Sequence, residues 1–375
     1  MVKFMKKYFL LFITLIAILS SACNDPIFYM ISKEEKILEP RIKGSPTNFA
    51  DFNDKMYVAS GPVLYEYDGS WRELKPGGSI LSLAVTDAHL YALCIESEKR
   101  TLRRTNNGET WENILISDDN FKILAIYSAN KKLFLGTSNN SSSYSIFYFN
   151  GTDPIRLRDT GARMLNGVAY DSTNYYLSTK DLIKENGGEI YCTDLTAANT
   201  NAVDKSYDIP FMGIIDINNK VLAIARNGYL YTVDNTSGVT SGASFGNDYL
   251  ATGALAIWED KDDASRKLLL AGRQDRFKAT ISSGFTFGYL ELEIDASGTP
   301  VGSFAEPGES NGKPTTVIKG ENESYRNTIG KRPVTHIYQT SVLIDSERIL
   351  FASTQKDGIW SFRNRGGESK WNSEK

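Results

Sequence analysis

Few residues of this chain are of the types that do chemistry, and their spacing decides how they read. There are two histidines, His89 and His336, and three cysteines, Cys23, Cys94 and Cys192. A structural zinc site takes four Cys or His ligands at close spacing, and a disulfide framework takes paired cysteines, so this set supplies neither. No Ser, His and Asp stand in an order that hydrolases use, and no glycine-rich phosphate loop is present. Glu291 and Glu293 make a pair of carboxylates, but they alternate with Leu290, Leu292 and Ile294, the rhythm of a strand with both acids on one solvated face. Cys94 and Cys192 fall inside strands of separate repeat units and read as two buried thiols. His89 and His336 read as structural histidines. Neither a catalytic residue nor a metal or other cofactor is expected.

The elements that would position any site come from the composition and the repeats. A net charge of −3 is too mildly acidic for a nucleic-acid partner, and 41% hydrophobic residues are enough for a large core, which excludes a disordered chain. The 20 Tyr, 18 Phe and 30 Gly suit sheets punctuated by turns.

The first segment is an address. Lys3, Lys6 and Lys7 precede an almost wholly apolar run, residues 8–19, and then Ser20-Ser21-Ala22-Cys23. The run is shorter than the roughly 20 residues of a spanning helix and reads as a cleaved secretory signal. The end of this segment resembles the lipobox of bacterial lipoproteins, with Ser20 where Leu is usual and Leu19 one place earlier, the permissive form of spirochaete-type lipoproteins. The resemblance implies that Cys23 receives a diacylglyceryl group and becomes the mature N-terminus, so that acyl chains hold the protein to a membrane of the cell envelope, facing the periplasm or the surface. Removing residues 1–22 takes away three lysines and no acid, which leaves −6 and no basic membrane patch. Residues 23–47 read as the lipidated cysteine and a tether, of which 27–30 and 37–42 can dock on the body.

From residue 48 to 375 the chain repeats, and repeats decide architecture. Apolar runs begin at Met56, Leu90, Leu133, Tyr175, Val221, Leu268 and Ile349, each near-continuous as a strand buried on both faces should be. The fifth residue of each run is small: Ser60, Cys94, Thr137, Thr179, Ala225, Gly272 and Ser353. Such a column fits a crowded place near a propeller axis. An aromatic-rich strand ending in Asp or Asn follows each run, and a short strand precedes it. With a weaker fourth strand such as 71–74 or 111–116, these make one blade of about 47 residues. The expected fold is all-β, a seven-bladed propeller with one long insertion, and an eighth, degenerate blade within residues 298–334 is the alternative.

One turn is sharper than the rest, Arg104-Thr105-Asn106-Asn107-Gly108-Glu109-Thr110-Trp111. It resembles the Asp-box of BNR/sialidase-type propellers, with Asn106 in the place of the Asp, Gly108, Thr110 and Trp111 matching, and Arg104 departing from the leading Ser or Thr. Fainter echoes end in Trp71 and Trp371. The resemblance implies a structural turn between third and fourth strands, remote from a catalytic pocket. Sialidase activity would need an arginine triad, a tyrosine nucleophile with an acidic partner and a separate acid. The Arg-Ile-Pro motif is broken here, since Arg41-Ile42 is followed by Lys43. The tryptophans Trp71, Trp111, Trp360 and Trp371 read as packing between blades.

The position after each small residue is Gly61, Ile95, Ser138, Lys180, Arg226, Arg273 and Thr354, which gives three consecutive blades a cation at one end. The long irregular segments 273–288 and 302–333 leave from that same end, and long loops on a rigid scaffold are where binding resides. Lys180, Arg226, Arg273, Arg276, Tyr325 and Arg326 are therefore expected to form a recognition face for an envelope protein or an anionic or glycan ligand. The expected function is a lipid-anchored, non-catalytic binding or assembly scaffold. The alternative is a degenerate glycosidase or lyase with its pocket at the axis.

Overall fold

The computed structural model describes residues 42, 44–139, 143–181, 187–195, 201–202, 210–236, 238–259, 267–275, 287–305, 329, 332–365 and 368–374. These form seven four-stranded antiparallel sheets, each made of four consecutive strands. Blade 1 holds β1 (Ala50–Phe52), β2 (Lys55–Ser60), β3 (Val63–Tyr67) and β4 (Trp71–Leu74), and six further blades of the same order end with β28 (Glu368–Ser373). The fold is a seven-bladed β-propeller. No eighth blade is built at 298–334 among the described residues: β24 (Pro300–Ala305) is the fourth strand of blade 6, and β25 (Val334–Ile344) opens blade 7.

The seven apolar runs are the second strands: β2, β6 (Leu90–Glu96), β10 (Lys132–Ser138), β14 (Tyr175–Asp181), β18 (Lys220–Ala225), β22 (Lys267–Asp275) and β26 (Glu347–Thr354). Their unbroken hydrophobicity has a simple cause. Successive residues of a strand face opposite sides, and each blade is buried by a neighbour on both. Met56 and Val58 join the cluster shared with blade 7, whereas Tyr57 and Ala59 join the one shared with blade 2. Seven such clusters fill the seven junctions between neighbouring blades. Each fully buried Leu or Ile in them is worth about 1.5–3 kcal/mol.

The column of small residues lies opposite a ring of irregularities in the first strands. The ladder slips beside Cys94, between Ile80 and Ser82 of β5 (Ser79–Val85). It slips again opposite Thr137, opposite Thr179 and opposite Ala225, and in blades 6 and 7 between Ala251 and Leu255 and between Val334 and His336. Bulges twist the innermost strands sharply and push one residue out of the ladder. The fifth residue of the second strand must sit in what is left, and a Cβ at Gly272 would meet Ala254 Cβ at 2.9 Å. The inner strands of blades 4 to 6 approach closest: a Cβ on Gly167 would lie 2.7 Å from Ile214 Cγ2, and one on Gly213 would lie 2.6 Å from Gly253 O.

The ring closes without a shared strand. Ile42, within the stretch expected to dock, is fully buried between blades 1 and 7, Gly44 bridges Asp357, and Thr47 N donates to Ala59 O at 2.8 Å. Asp51 of blade 1 accepts from Thr340 Oγ1 at 2.8 Å and from the Ser341 backbone at 2.5 Å. Near the other end of the chain, Glu374 is 2% exposed and accepts from Trp71 Nε1 at 2.8 Å, from Arg363 at 2.6 Å and from Ser361 Oγ.

Candidate functional site

At the end where second strands hand over to third strands, and fourth strands to the next blade, backbone hydrogen bonds tie several neighbouring blades together and close loops within blades 6 and 7. The position after the small residue supplies the link: Ile80 N donates to Gly61 O at 2.8 Å, and Ala251 N to Arg226 O at 2.9 Å. Farther around, Arg273 N donates to Gly288 O at 3.0 Å, Gly288 N to Arg332 O at 3.3 Å, and Gln355 N to Pro333 O at 3.0 Å. Gly358 N reaches Gly44 O at 3.4 Å, which ties blade 7 to the segment that leads into blade 1. Strands β22 and β23 (Tyr289–Ile294) of blade 6, and β24 of blade 6 and β25 of blade 7, meet this exit end with the largest sequence separations between consecutive strands.

Two arginine–aromatic stacks stand at this end. The Arg273 guanidinium lies 4.4 Å from the centre of the Tyr249 ring and its Nε donates to Phe287 O at 3.2 Å. Arg332 lies 4.6 Å from the Trp360 ring, with Nε 3.2 Å from Asp357 Oδ2. Stacking on an aromatic face is worth about 0.5–2 kcal/mol and leaves the planar donors in a fixed direction. On blade 4, Arg163 pairs with Glu189 at 2.7 Å, and on blade 2, Arg103 pairs with Glu96 at 2.7 Å and donates to Pro76 O. Arg100 of the same blade donates from Nη1 to Ile123 O at 3.1 Å and Leu124 O at 3.2 Å, and burial lowers its pKa. The rim thus carries both signs of charge.

The residues expected at this end are placed unevenly. Lys180 is the penultimate residue of β14 and Arg226 follows β18, both half-buried at the exit end. Arg273 is only 2% exposed, so it positions the rim rather than presenting charge to solvent. Arg276, Tyr325, Arg326 and Cys23 lie outside the described residues. Glu291, read from its alternation as solvated, is 0% exposed, because the third strand of blade 6 is covered on the face that carries it, while Glu293 is exposed. Arg332 and its stack on Trp360 were not expected. An arginine just before Pro333 at the start of a first strand was the available signal.

The turn at 104–111 is held by its own side chains, and its hub sits one residue later than the pattern suggests. Asn107, not Asn106, supplies the side-chain oxygen that accepts from Glu109 N and Thr110 N, both at 2.9 Å, and Thr105 Oγ1 accepts from Gly108 N at 3.0 Å. Trp111 Nε1 donates to Gly108 O at 3.2 Å. The turn docks on blade 1: Asn53 Nδ2 donates to Asn106 O at 3.0 Å, and a Cβ on Gly108 would lie 2.7 Å from the Tyr57 hydroxyl. Beneath it, Glu66 is 2% exposed and holds Lys55, Tyr57 and Arg72 at 2.9–3.0 Å. Burial alone would raise the Glu66 carboxyl, but the hydrogen bonds from Arg72, Lys55 and Tyr57 outweigh it and hold its pKa below the ordinary value.

Cys94 and Cys192 are buried free thiols, each pushed up to about 11 chiefly by burial. Among the described residues no group of three His, Cys, Asp or Glu side chains is placed to hold a metal ion.

No protein-family model matches the chain, and no curated protein matches its sequence. Solved structures do. YCF48 from Cyanidioschyzon merolae is similar at 11% identity and a TM-score of 0.51, over 85% of this chain and 95% of that one. YCF48 bound to D1 peptide is similar at 10% identity and a TM-score of 0.53, over 87% and 94%. Sqt1 from Saccharomyces cerevisiae reaches a TM-score of 0.49 at 13% identity, over 89% and 86%. At such identities the likeness is one of fold, the propeller that the seven sheets show.

Proposed function

We propose that this chain is an exported, lipid-anchored binding scaffold whose propeller offers its exit end to a partner protein. The observation that carries the reading is the pair of arginines at that end, Arg273 held against Tyr249 and Arg332 held against Trp360, on neighbouring blades that Gly288 N and Arg332 O join by a backbone hydrogen bond. A rigid frame lowers the ordering cost of binding, and arginines held flat against aromatic rings are well suited to protein surfaces. The mixed charges of the rim favour a protein over a purely anionic ligand. That YCF48 has been solved with a D1 peptide gives a precedent for peptide capture on this fold. Anchoring rests on Lys3, Lys6 and Lys7, the apolar run and Cys23.

Two experiments test the two halves. Metabolic labelling with an alkynyl fatty acid should mark the full chain and fail to mark Cys23→Ala; equal labelling of both refutes the anchor. Affinity capture with the full chain should recover a protein that Lys180→Glu/Arg226→Glu/Lys356→Glu no longer recovers while keeping its thermal midpoint. Capture unchanged by the triple substitution refutes the exit end as the binding face.

A further inference from the structure

An asparagine followed by glycine carries a latent reaction of its own. The glycine amide nitrogen can attack the asparagine Cγ and close a five-membered ring, because no Cβ shields that nitrogen or restricts the backbone around it. This chain holds six Asn-Gly pairs, of which 107–108, 150–151, 166–167 and 227–228 lie wholly among the described residues. The fold treats these four differently.

Three of them are locked. The Gly108 N–H donates to Thr105 Oγ1 at 3.0 Å and the Gly228 N–H to Ala225 O at 2.9 Å, and both glycines are buried. Gly167 is buried within β13 (Arg163–Tyr170), and the Asn166 side chain beside it is tied across to blade 5 by the bond from Nδ2 to Phe211 O at 2.5 Å. Asn150-Gly151, in the turn between β11 (Tyr144–Phe149) and β12 (Pro154–Gly161) of blade 3, has none of these restraints. Asn150 is exposed, the Gly151 N–H has no acceptor among the described residues, and a Cβ on Gly151 would meet nothing within 4 Å. The carbonyl to be attacked is also prepared. Asn150 Oδ1 accepts from Thr152 N at 2.9 Å and from Asp153 N at 2.8 Å, so two backbone donors already stand where negative charge develops when the ring closes. Asn107 Oδ1 has a like pair of donors, which leaves the engaged and buried glycine as the main difference between the two turns.

We propose that Asn150 is a self-modification site, converted in the folded protein to a mixture of aspartate and isoaspartate through a succinimide. The Gly151 nitrogen gives its proton to hydroxide as the N–Cγ bond forms. The Cγ–Nδ2 bond then breaks, and Nδ2 takes a proton from water and leaves as ammonia. A second water opens the imide. Attack at Cγ breaks the new N–Cγ bond and yields aspartate, and attack at the backbone carbonyl carbon breaks the original peptide bond and yields isoaspartate; nothing is oxidised or reduced. The isoaspartyl product adds a backbone carbon to a turn that pairs Asn150 N with Asp153 O at 3.3 Å and holds Arg104 Nη1 of blade 2 against Gly151 O at 3.0 Å. Conversion therefore adds a negative charge and loosens a tie between blades 2 and 3. The turn lies at the end opposite the exit end, so the inference is independent of the function proposed above.

The test incubates the full chain in mildly alkaline heavy-oxygen water, natively and in guanidinium chloride, and maps its peptides by mass spectrometry. Each opened succinimide then carries one labelled oxygen. In the native protein, labelled acid should accumulate at position 150 roughly tenfold faster than at 107, 166 or 227, where cyclisation must first break a hydrogen bond or unpack the glycine. In guanidinium chloride that advantage should vanish. Equal native rates at the four positions, or a faster rate at any of the other three, overturns the proposal. So does the same ranking in both solvents, since flanking sequence rather than the fold would then set the order.

Discussion

His336 gives the fold a predictable weakness toward acid. It lies beside the bulge of β25 opposite Ser353, and its Nδ1 is buried without a hydrogen-bond partner among the described residues. Burial lowers its pKa from 6.5 to about 4, so the folded protein holds the ring neutral. A base depressed on folding contributes its stability in full above pH 6.5, and that contribution is lost as pH falls from 6.5 toward 4. With those two values the loss at pH 4.5 is about 2.5 kcal/mol, from 1.36 kcal/mol per unit of pKa difference. Urea unfolding of wild type and His336→Leu at pH 7.5 and 4.5 isolates the effect from the carboxylates, which titrate alike in both. Wild type should lose about 2.5 kcal/mol more than the variant between the two pH values. An equal loss in both would show that the ring is solvated or paired in the folded state, and would refute the reasoning.

Three further outcomes follow from single contacts. Gly108→Ala, at φ +81° with Tyr57 Oη 2.7 Å from the added Cβ, should cost about 2–4 kcal/mol, whereas Gly151→Ala, at φ +100° with nothing within 4 Å, should cost only the backbone strain of about 1 kcal/mol; thermal melts of the pair separate clash from strain. Glu374→Ala strands the Trp71 indole, the Ser361 hydroxyl and Arg363 at once, and should lower unfolding free energy by about 3–5 kcal/mol, read by chemical denaturation. Cys94 and Cys192, with thiols near pKa 11, should resist a maleimide at pH 7.5 in the native state and react at once in urea, as mass spectrometry would show.

The blades were legible because a strand covered on both faces leaves a continuous apolar run, and β2, β6, β10, β14, β18, β22 and β26 each fall on one. The column from Ser60 to Ser353 was legible for the same reason, since crowding selects small residues wherever it recurs. What the sequence hid depends on contacts between blades. Arg273 reads as a surface cation because charge ordinarily marks exposure, yet Tyr249 and Phe287 O satisfy it in place of water. Glu291 hid in an alternating strand whose wet face is open at Glu293 but covered at Glu291. Asn107 was masked by a motif that pointed to its neighbour. The close approach at Gly167, Gly213 and Gly253 exists only once two blades are set side by side.

The central claim, that a protein partner is held at the exit end, is tested most directly by site-specific photocrosslinking of the full chain in intact cells. A photoreactive side chain at the exposed Gln355 or Lys356 samples the exit end, and one at Lys131, on the turn after the first strand of blade 3, samples the opposite end. Adducts of one defined mass from positions 355 and 356, with none from 131, are the predicted result. Adducts from position 131 alone, or the same adducts from both ends, would contradict it.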